Sequence, residues 1–223
     1  MTLDIYIDNF SFDQKSIFIN QKVSLDSKSM LGIIGENGIG KSTFVNLLVG
    51  NIESSLNLTF DGKNLIPGYN DFVIFIPDDF IGLEYLTPFE AVKYYLLLDK
   101  KEFDKEKFYK IIEVANIDKK MVFDEFIKNL SKGTKQKVTF IIYMMINRDI
   151  IVFDEGLENI DEFSLSNILD YLKGWIQEDK ICLVATHSKK ILDSVNGFIR
   201  LKKDEDITQG TIILKEELNL KIV

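Results

Sequence analysis

Hydrophobic and polar residues alternate at the start of the chain, in Leu3-Asp4-Ile5-Tyr6-Ile7-Asp8 and again in Val23-Ser24-Leu25-Asp26. A period of two turns one face of each stretch to a core and the other to water, which predicts half-exposed strands of a small antiparallel edge sheet. Met30-Leu31-Gly32-Ile33-Ile34 is instead a continuous apolar run, as a strand buried on both faces requires. A glycine-rich loop follows it, and Ser42 to Val49 read as a helix stopped at Gly50. From Asn51 to Pro77 the pattern returns to strands and turns, with Asp61-Gly62 as a hairpin signal and Phe72 to Ile76 as a buried strand.

The character then changes. Thr87-Pro88-Phe89-Glu90 combines a capping box with proline at the first helical position, predicting a helix through Tyr94 to Leu98. Further on, Phe108, Ile111, Ile112 and Ala115 recur at helical spacing, beside a charged surface run from Lys100 to Lys107. Glu84 to Tyr143 therefore reads as an α-helical subdomain inserted into an α/β core made of 1–83 and 144–223. Strands are predicted at Ile150 to Phe153, Ile181 to Ala185 and Gly197 to Leu201, with a helix from about Glu162 to Gln177 between the first two. Such strand–helix–strand crossovers build a parallel sheet. The expectation is a single α/β domain over 1–223: a mostly parallel sheet, an antiparallel β edge subdomain and the inserted helices.

Composition narrows the classes. Hydrophobic residues make up 46% and charged residues 28% of the chain, which suits a packed core and excludes a disordered or fibrous protein. A net charge of −8 repels nucleic acid, so no nucleic-acid partner is expected. The single cysteine, Cys182, lies in an apolar strand, cannot form an internal disulfide and fits a reducing cytoplasm. The segment MTLDIYIDNF has no basic region followed by a long apolar stretch, so no export signal is expected. The longest apolar runs, such as Phe140 to Ile146, fall short of the ~20 residues that cross a bilayer. A membrane role would have to come through a partner.

Gly35-Glu36-Asn37-Gly38-Ile39-Gly40-Lys41-Ser42 matches the phosphate-binding pattern G-x-x-x-x-G-K-[ST], between a predicted buried strand and a predicted helix. Glycines let such a loop turn its amides onto phosphate oxygens, and the helix start adds the positive end of its dipole. Gly35, Glu36, Asn37, Gly38, Ile39, Gly40, Lys41, Ser42 and Thr43 are thus the candidate nucleotide site of a P-loop NTPase core. Lys41 would bind the β- and γ-phosphates, and the Ser42 hydroxyl would hold Mg²⁺. This pattern alone leaves kinases, GTPases, recombination motors and transporters open. Ile150-Ile151-Val152-Phe153-Asp154-Glu155 adds a buried strand ending in adjacent carboxylates, placing Asp154 in the Mg²⁺ shell and Glu155 to polarise a water.

From here the sequence resembles the ABC ATPase family over nearly its whole length. Leu130-Ser131-Lys132-Gly133-Thr134-Lys135-Gln136 is similar to the signature segment written LSGGQ, in the lysine-containing form of bacterial exporter subunits. Ser131 is a good N-cap, and its hydroxyl, the Gly133 backbone and the helix dipole together make an anion-binding end. The resemblance implies that Ser131, Lys132, Gly133 and Gln136 meet the γ-phosphate of ATP held by the opposite subunit. It implies that His187, the only histidine, is the switch residue that hydrogen-bonds the γ-phosphate. Asp161 resembles the aspartate of the loop that bridges the two subunits. Phe12 resembles the aromatic that stacks on adenine, a task that needs a π-face and not a hydroxyl.

Two segments depart from the family pattern. Asp78 stands where relatives usually carry a glutamine that touches Mg²⁺ and the attacking water. A carboxylate can still ligate Mg²⁺, yet it adds negative charge beside the γ-phosphate, so slow basal hydrolysis or an altered metal preference is expected. Gly156-Leu157-Glu158-Asn159-Ile160-Asp161 replaces the usual Pro-Thr-Asn-Gly-Leu-Asp run while keeping its spacing.

The resemblance implies an ATPase with Mg²⁺ as cofactor, on the cytoplasmic face of the cell membrane, peripheral to integral membrane transporter subunits supplied in trans. It would pair with a second ABC ATPase as a homodimer or heterodimer and drive transport, with export of a peptide or antibiotic as the expected direction and cargo. Two alternatives belong to other classes. A soluble ABC-type ATPase acting on nucleic acid or the ribosome would carry basic surfaces, paired cassettes or coiled-coil insertions. A small-molecule kinase would need neither the signature segment nor the histidine.

Overall fold

The computed structural model describes residues 1–12, 15–52, 56–65, 72–79, 82–204 and 207–214. The chain divides into two compact units. The first comprises Met1–Phe75, Asp149–Asp154 and Trp175–Val223; the second comprises Ile76–Arg148 and Glu155–Gly174.

The first unit is organised by one sheet. Its strands are β1 (Thr2–Phe12), β2 (Lys15–Asp26), β3 (Ser29–Ile34), β4 (Leu56–Phe60), β5 (Lys63–Leu65), β6 (Val73–Ile76), β7 (Ile150–Asp154), β8 (Ile181–Ala185), β9 (Gly197–Asp204) and β10 (Ile207–Leu214). They lie in the order β5-β4-β1-β2-β10-β9-β3-β8-β7-β6. The apolar runs become the parallel centre: β7 aligns Ile150 with Ile181 of β8, while β3 aligns Ser29 with Ile181 and Leu31 with Gly197 of β9. Every residue of β8 is buried, Cys182 included, so both faces of that strand are covered.

The alternating segments become the antiparallel edge. Leu3, Ile5 and Ile7 are at most 2% exposed, while Tyr6 and Asp8 face water, so the period of two survives folding intact. The β4–β5 hairpin turns on Asp61 and Gly62 at φ 50° and 74°, the paired left-handed conformation of a type I′ turn. Helix α1 (Lys41–Leu48) follows β3 and buries Phe44, Val45, Leu47 and Leu48. Two elements were not predicted. Helix α7 (Lys189–Ser194) follows β8, and β10 pairs antiparallel with β9 from Ile207↔Asp204 to Leu214↔Gly197.

The second unit is helical: α2 (Pro88–Leu98), α3 (Lys105–Ala115), α4 (Lys119–Asp124), α5 (Lys132–Ile146) and most of α6 (Glu162–Trp175). Each of the first four starts on a side-chain cap, from Thr87, Asp104, Asp118 and Ser131, which satisfies amides that a helix start leaves without partners. At Thr87 the predicted capping box is complete, with the Glu90 carboxylate accepting from the Thr87 amide at 2.9 Å. Phe89, Phe103, Phe108 and Phe123 stack together, and Phe108, Ile111, Val138 and Phe140 are at most 1% exposed. The helix expected to reach Gln177 ends at Trp175 and continues as one 3-10 turn, Ile176–Glu178.

Candidate functional site

The phosphate-loop pattern sits where β3 hands over to α1. Gly38 and Gly40 lie at φ 75° and 108°, conformations that strain any L side chain. At Gly35 a Cβ would lie 2.8 Å from the Leu201 carbonyl oxygen, so only glycine lets the loop pass β9 this closely. Gly40 precedes α1 without a capping side chain, and the first helical turn has no acidic residue. Those amides are therefore suited to an anion as acceptor.

Lys41 arches back over the loop, its ammonium donating to the carbonyls of Gly35 at 2.9 Å and Glu36 at 3.1 Å. The amide of Ile39 closes a turn on the Glu36 carbonyl at 3.2 Å, leaving Ile39 buried and Glu36, Asn37 and Gly38 exposed. Ser42 is exposed and Thr43 half-buried in the first turn of α1. The Ser42 hydroxyl donates to Asp154 Oδ1 at 3.4 Å, bringing a hydroxyl and a carboxylate together from α1 and the end of β7. Two hard oxygens fit Mg²⁺, which binds through one or two protein groups and takes its remaining ligands from phosphate and water. Among the described residues no group of three or more His, Cys, Asp and Glu side chains is arranged to hold a metal alone.

His187 follows β8 and is exposed. It shares a cleft of about 860 Å³ with Gly35, Glu36, Lys41, Thr186 and Arg200. Lys202 and Lys203 also line this cleft. These three cations of β9 were not singled out from sequence, although the basic run Arg200 to Lys203, which begins within the predicted strand Gly197 to Leu201 and extends past its end, was the available signal. Thr186 shapes the approach to His187, its hydroxyl oxygen accepting from the Ser188 amide at 3.0 Å. Phe12 ends β1, and its side chain lies outside the described residues.

The other candidates meet within the second unit. Glu155 is half-buried and adopts φ 57°, a left-handed backbone that costs a non-glycine residue energy and is concentrated at functional positions. Gln136, 2% exposed, ties the cluster together. Its amide nitrogen donates to Asp78 Oδ1 at 3.0 Å, the Asp78 carbonyl at 3.1 Å and the Glu155 carbonyl at 3.4 Å. Its oxygen accepts from the Asn159 amide at 2.9 Å. Lys132 reaches Asp78 Oδ2 at 2.5 Å and Asp79 Oδ1 at 3.3 Å, and these contacts, the hydrogen bond to Asp78 first, raise the pKa of its ammonium. Ser131 caps α5, accepting from the Thr134 amide at 3.2 Å. Gly133 comes so close to the 156–161 loop that a Cβ there would lie 2.2 Å from the Asn159 carbonyl oxygen.

Asp161 caps α6, its carboxylate accepting from the Ser164 amide at 3.0 Å, and it pairs with Lys137 at 2.6 Å. Sequence reading did not anticipate Lys137. Its hydrogen bond first, and the Ser164 amide second, hold the Asp161 carboxyl down at about 2. A carboxyl lowered by folding contributes stability at pH values above its unfolded pKa and loses it as pH falls through the folded one. Because the Asp161 side chain is 53% exposed, solvent screens much of this effect: Asp161→Asn is expected to lower the thermal midpoint by about 1–2 °C at pH 5 and above, and the gap to the wild-type chain closes between about pH 4 and pH 2. A gap that stays constant across that range would show that the ion pair is not its source.

A phosphate loop on the central strand of a parallel sheet, with an acidic strand end beside its serine, defines a P-loop nucleoside-triphosphate-binding fold. The chain belongs to the ABC transporter family, whose model matches residues 19–158, and it is an ABC transporter ATP-binding domain. An ABC transporter ATP-binding protein of Staphylococcus aureus (strain MRSA252) is 26% identical over 216 residues, covering 92% of this chain. The chain spans only 37% of the length of that relative. YydI of Bacillus subtilis (strain 168), named as a peptide export ATP-binding protein, is 27% identical over 198 residues, covering 87% of this chain and 88% of its own. Among solved structures, a dimeric ATP-binding cassette bound to ADP and Pi superposes with a TM-score of 0.75 over 92% of this chain and 96% of its own, at 17% identity. At that identity the likeness shows the fold. Among the described residues no helix is long and apolar enough to cross a membrane.

Proposed function

We propose that this chain binds ATP on Gly35 to Thr43, hydrolyses it, and uses the cycle to energise transport through separate membrane-spanning subunits. The observation that carries the reading is the phosphate loop, with Lys41 arched over glycine-built backbone and Ser42 against Asp154. Ser42 and Asp154 would hold Mg²⁺, which would supply charge neutralisation of the phosphates. Glu155 orients and deprotonates the attacking water, His187 donates to the γ-phosphate from the edge of the loop's cleft, and Phe12 stacks on adenine. Asp78 joins the metal and water shell.

Two copies, or this chain and a similar one, close on two ATP molecules. Ser131, Lys132 and Gly133 at the start of α5 receive the γ-phosphate held by the other copy, with Gln136 and Asp161 supporting that face. ATP binds the closed pair better than the open pair, and that difference supplies the conformational work. The helical segment from Glu84 to Tyr143 serves as the inserted subdomain that meets the membrane partners. Its α2 supports this: Leu97 is 74% and Leu98 60% exposed, and Leu97 lines a groove of about 530 Å³ with Leu86, Tyr94, Leu96 and Phe103, edged by the charged Glu90, Lys93 and Lys101. Exposed apolar surface of this kind marks a protein-binding face. The likeness to YydI, named as a peptide export ATP-binding protein, supports export of a peptide as the direction and cargo, with the cytoplasmic face of the membrane as the proposed site of action.

Co-purification tests the transporter assignment. Tagged chain carrying Glu155→Gln, extracted from its host in mild detergent with ATP and Mg²⁺, is expected to bring down a multi-span membrane protein. Recovery of ribosomes, nucleic acid or cytosolic enzymes alone would overturn it in favour of a soluble ATPase.

A further inference from the structure

Arg200 stands directly beside the exit of the strand that carries the phosphate loop. In the parallel pairing of β3 with β9 it is the partner of Ile34, the residue before Gly35. On the other side of β3, Ile33 is paired with Ala185, the residue before Thr186 and His187. The start of the loop is therefore flanked by Arg200 on one strand and by the His187 segment on the other. Both line the same cleft of about 860 Å³ as Gly35 and Lys41, and all of these residues belong to the first unit. We propose that Arg200 is a further phosphate-binding residue, which holds the terminal phosphate of the nucleotide from the side of the loop away from His187. This rests on the ATP-binding reading above and deepens it.

Charge points to an anion. The chain carries a net charge of −8, yet among the described residues that line this cleft Lys41, Arg200, Lys202 and Lys203 are cationic and Glu36 alone is acidic. A cleft lined largely by one sign concentrates its field on a counter-ion. Alternation along β9 sets Phe198, Arg200 and Lys202 on one face, and they pass from buried through half-buried to exposed. Arg200 is thus the cation between an apolar floor and the rim. Its charge is screened less than that of Lys202, and its planar fork matches phosphate oxygens. The end of the triphosphate is the part that faces this cleft, because Lys41 and His187, the groups assigned to the γ-phosphate, both line it.

Comparing two nucleotides tests the assignment. Wild-type chain and Arg200→Gln are titrated calorimetrically with MgADP and with the Mg²⁺ complex of a β,γ-imido ATP analogue, at concentrations where the chain runs as a monomer on gel filtration. Affinity for the analogue is expected to fall about tenfold, as loss of a charged hydrogen-bond partner does, while affinity for MgADP changes less than about twofold because no terminal phosphate is present. Retained MgADP binding would also show that the variant is folded and its phosphate loop intact. If Arg200→Gln lowers the thermal midpoint, the same two titrations on Arg200→Lys decide, since that variant keeps the charge without the fork and should lose about threefold for the analogue alone. Equal losses for both nucleotides, or no loss for either, would overturn the inference and leave the ATP-binding reading standing. A wild-type chain that binds neither nucleotide would overturn both.

Discussion

Glu155→Gln is expected to lower ATP turnover by about 10²–10³-fold, as loss of a positioned general base does, while MgATP affinity changes less than about threefold. The two readouts separate because the proposed roles differ. On that reading nucleotide affinity rests on Gly35 to Thr43 and Asp154, whereas Glu155, the residue after Asp154, acts on the attacking water. The substitution is nearly isosteric and leaves the backbone bond from Gln136 to the Glu155 carbonyl in place. It removes only the charge that a water would need in order to lose its proton. A closed dimer should accumulate as a result, visible as an ATP-dependent shift to larger size on gel filtration. Turnover within twofold of wild type would remove Glu155 from the role of base and point to another group for water activation.

The features legible in the sequence were those written into neighbouring residues. The glycine spacing of the phosphate loop, the left-handed Asp61-Gly62 turn and the Thr87 capping box each depend on a few consecutive positions, and all stand where expected. The buried strands β3, β7 and β8 were readable because central parallel strands need apolar side chains on both faces. By contrast, β10 carries Thr208-Gln209-Gly210-Thr211, which breaks both alternation and apolar continuity, and it is held by its pairing to β9. Helix α7 is too short for any periodicity to declare itself.

Within the candidate site, the sequence located individual groups better than their relations. Gln136 was readable as part of the signature segment, but its bonds to Asp78 span a separation of 58 positions, which no local pattern encodes. The same holds for Lys137 with Asp161 and for Lys132 with Asp78. Each partner has an ordinary surface composition, and only the packing of α5 against the two loops makes them a network. Asp161 gains a second meaning from its surroundings. Beyond any contact with another subunit, it starts α6 and anchors that start to α5.

Gly133→Ala is expected to have the largest effect of any conservative change in the second unit. Helix propensity argues for stabilisation, since alanine is favoured over glycine inside a helix by about 1 kcal/mol. Space argues the other way. The new methyl would lie 2.2 Å from the Asn159 carbonyl oxygen and 3.1 Å from its carbon, both backbone atoms that cannot rotate aside. Relief needs the start of α5 and the 156–161 loop to part by roughly 1 Å, and overpacking of this kind costs about 1–3 kcal/mol. That movement strains the Asn159 amide bond to Gln136 and the Lys137–Asp161 pair as well. The thermal midpoint should therefore fall by about 2–8 °C, and turnover by about 10²-fold, as an ångström-scale displacement of catalytic groups produces. Gly174→Ala in α6 supplies the control, because its methyl meets no described atom within 4 Å. There propensity should prevail, raising stability by about 0.5–1 kcal/mol with turnover unchanged. Opposite signs for one chemical change at two helical glycines would identify the contact between α5 and the 156–161 loop as the cause, whereas stabilisation at both would mean that α5 and the loop do not meet this closely.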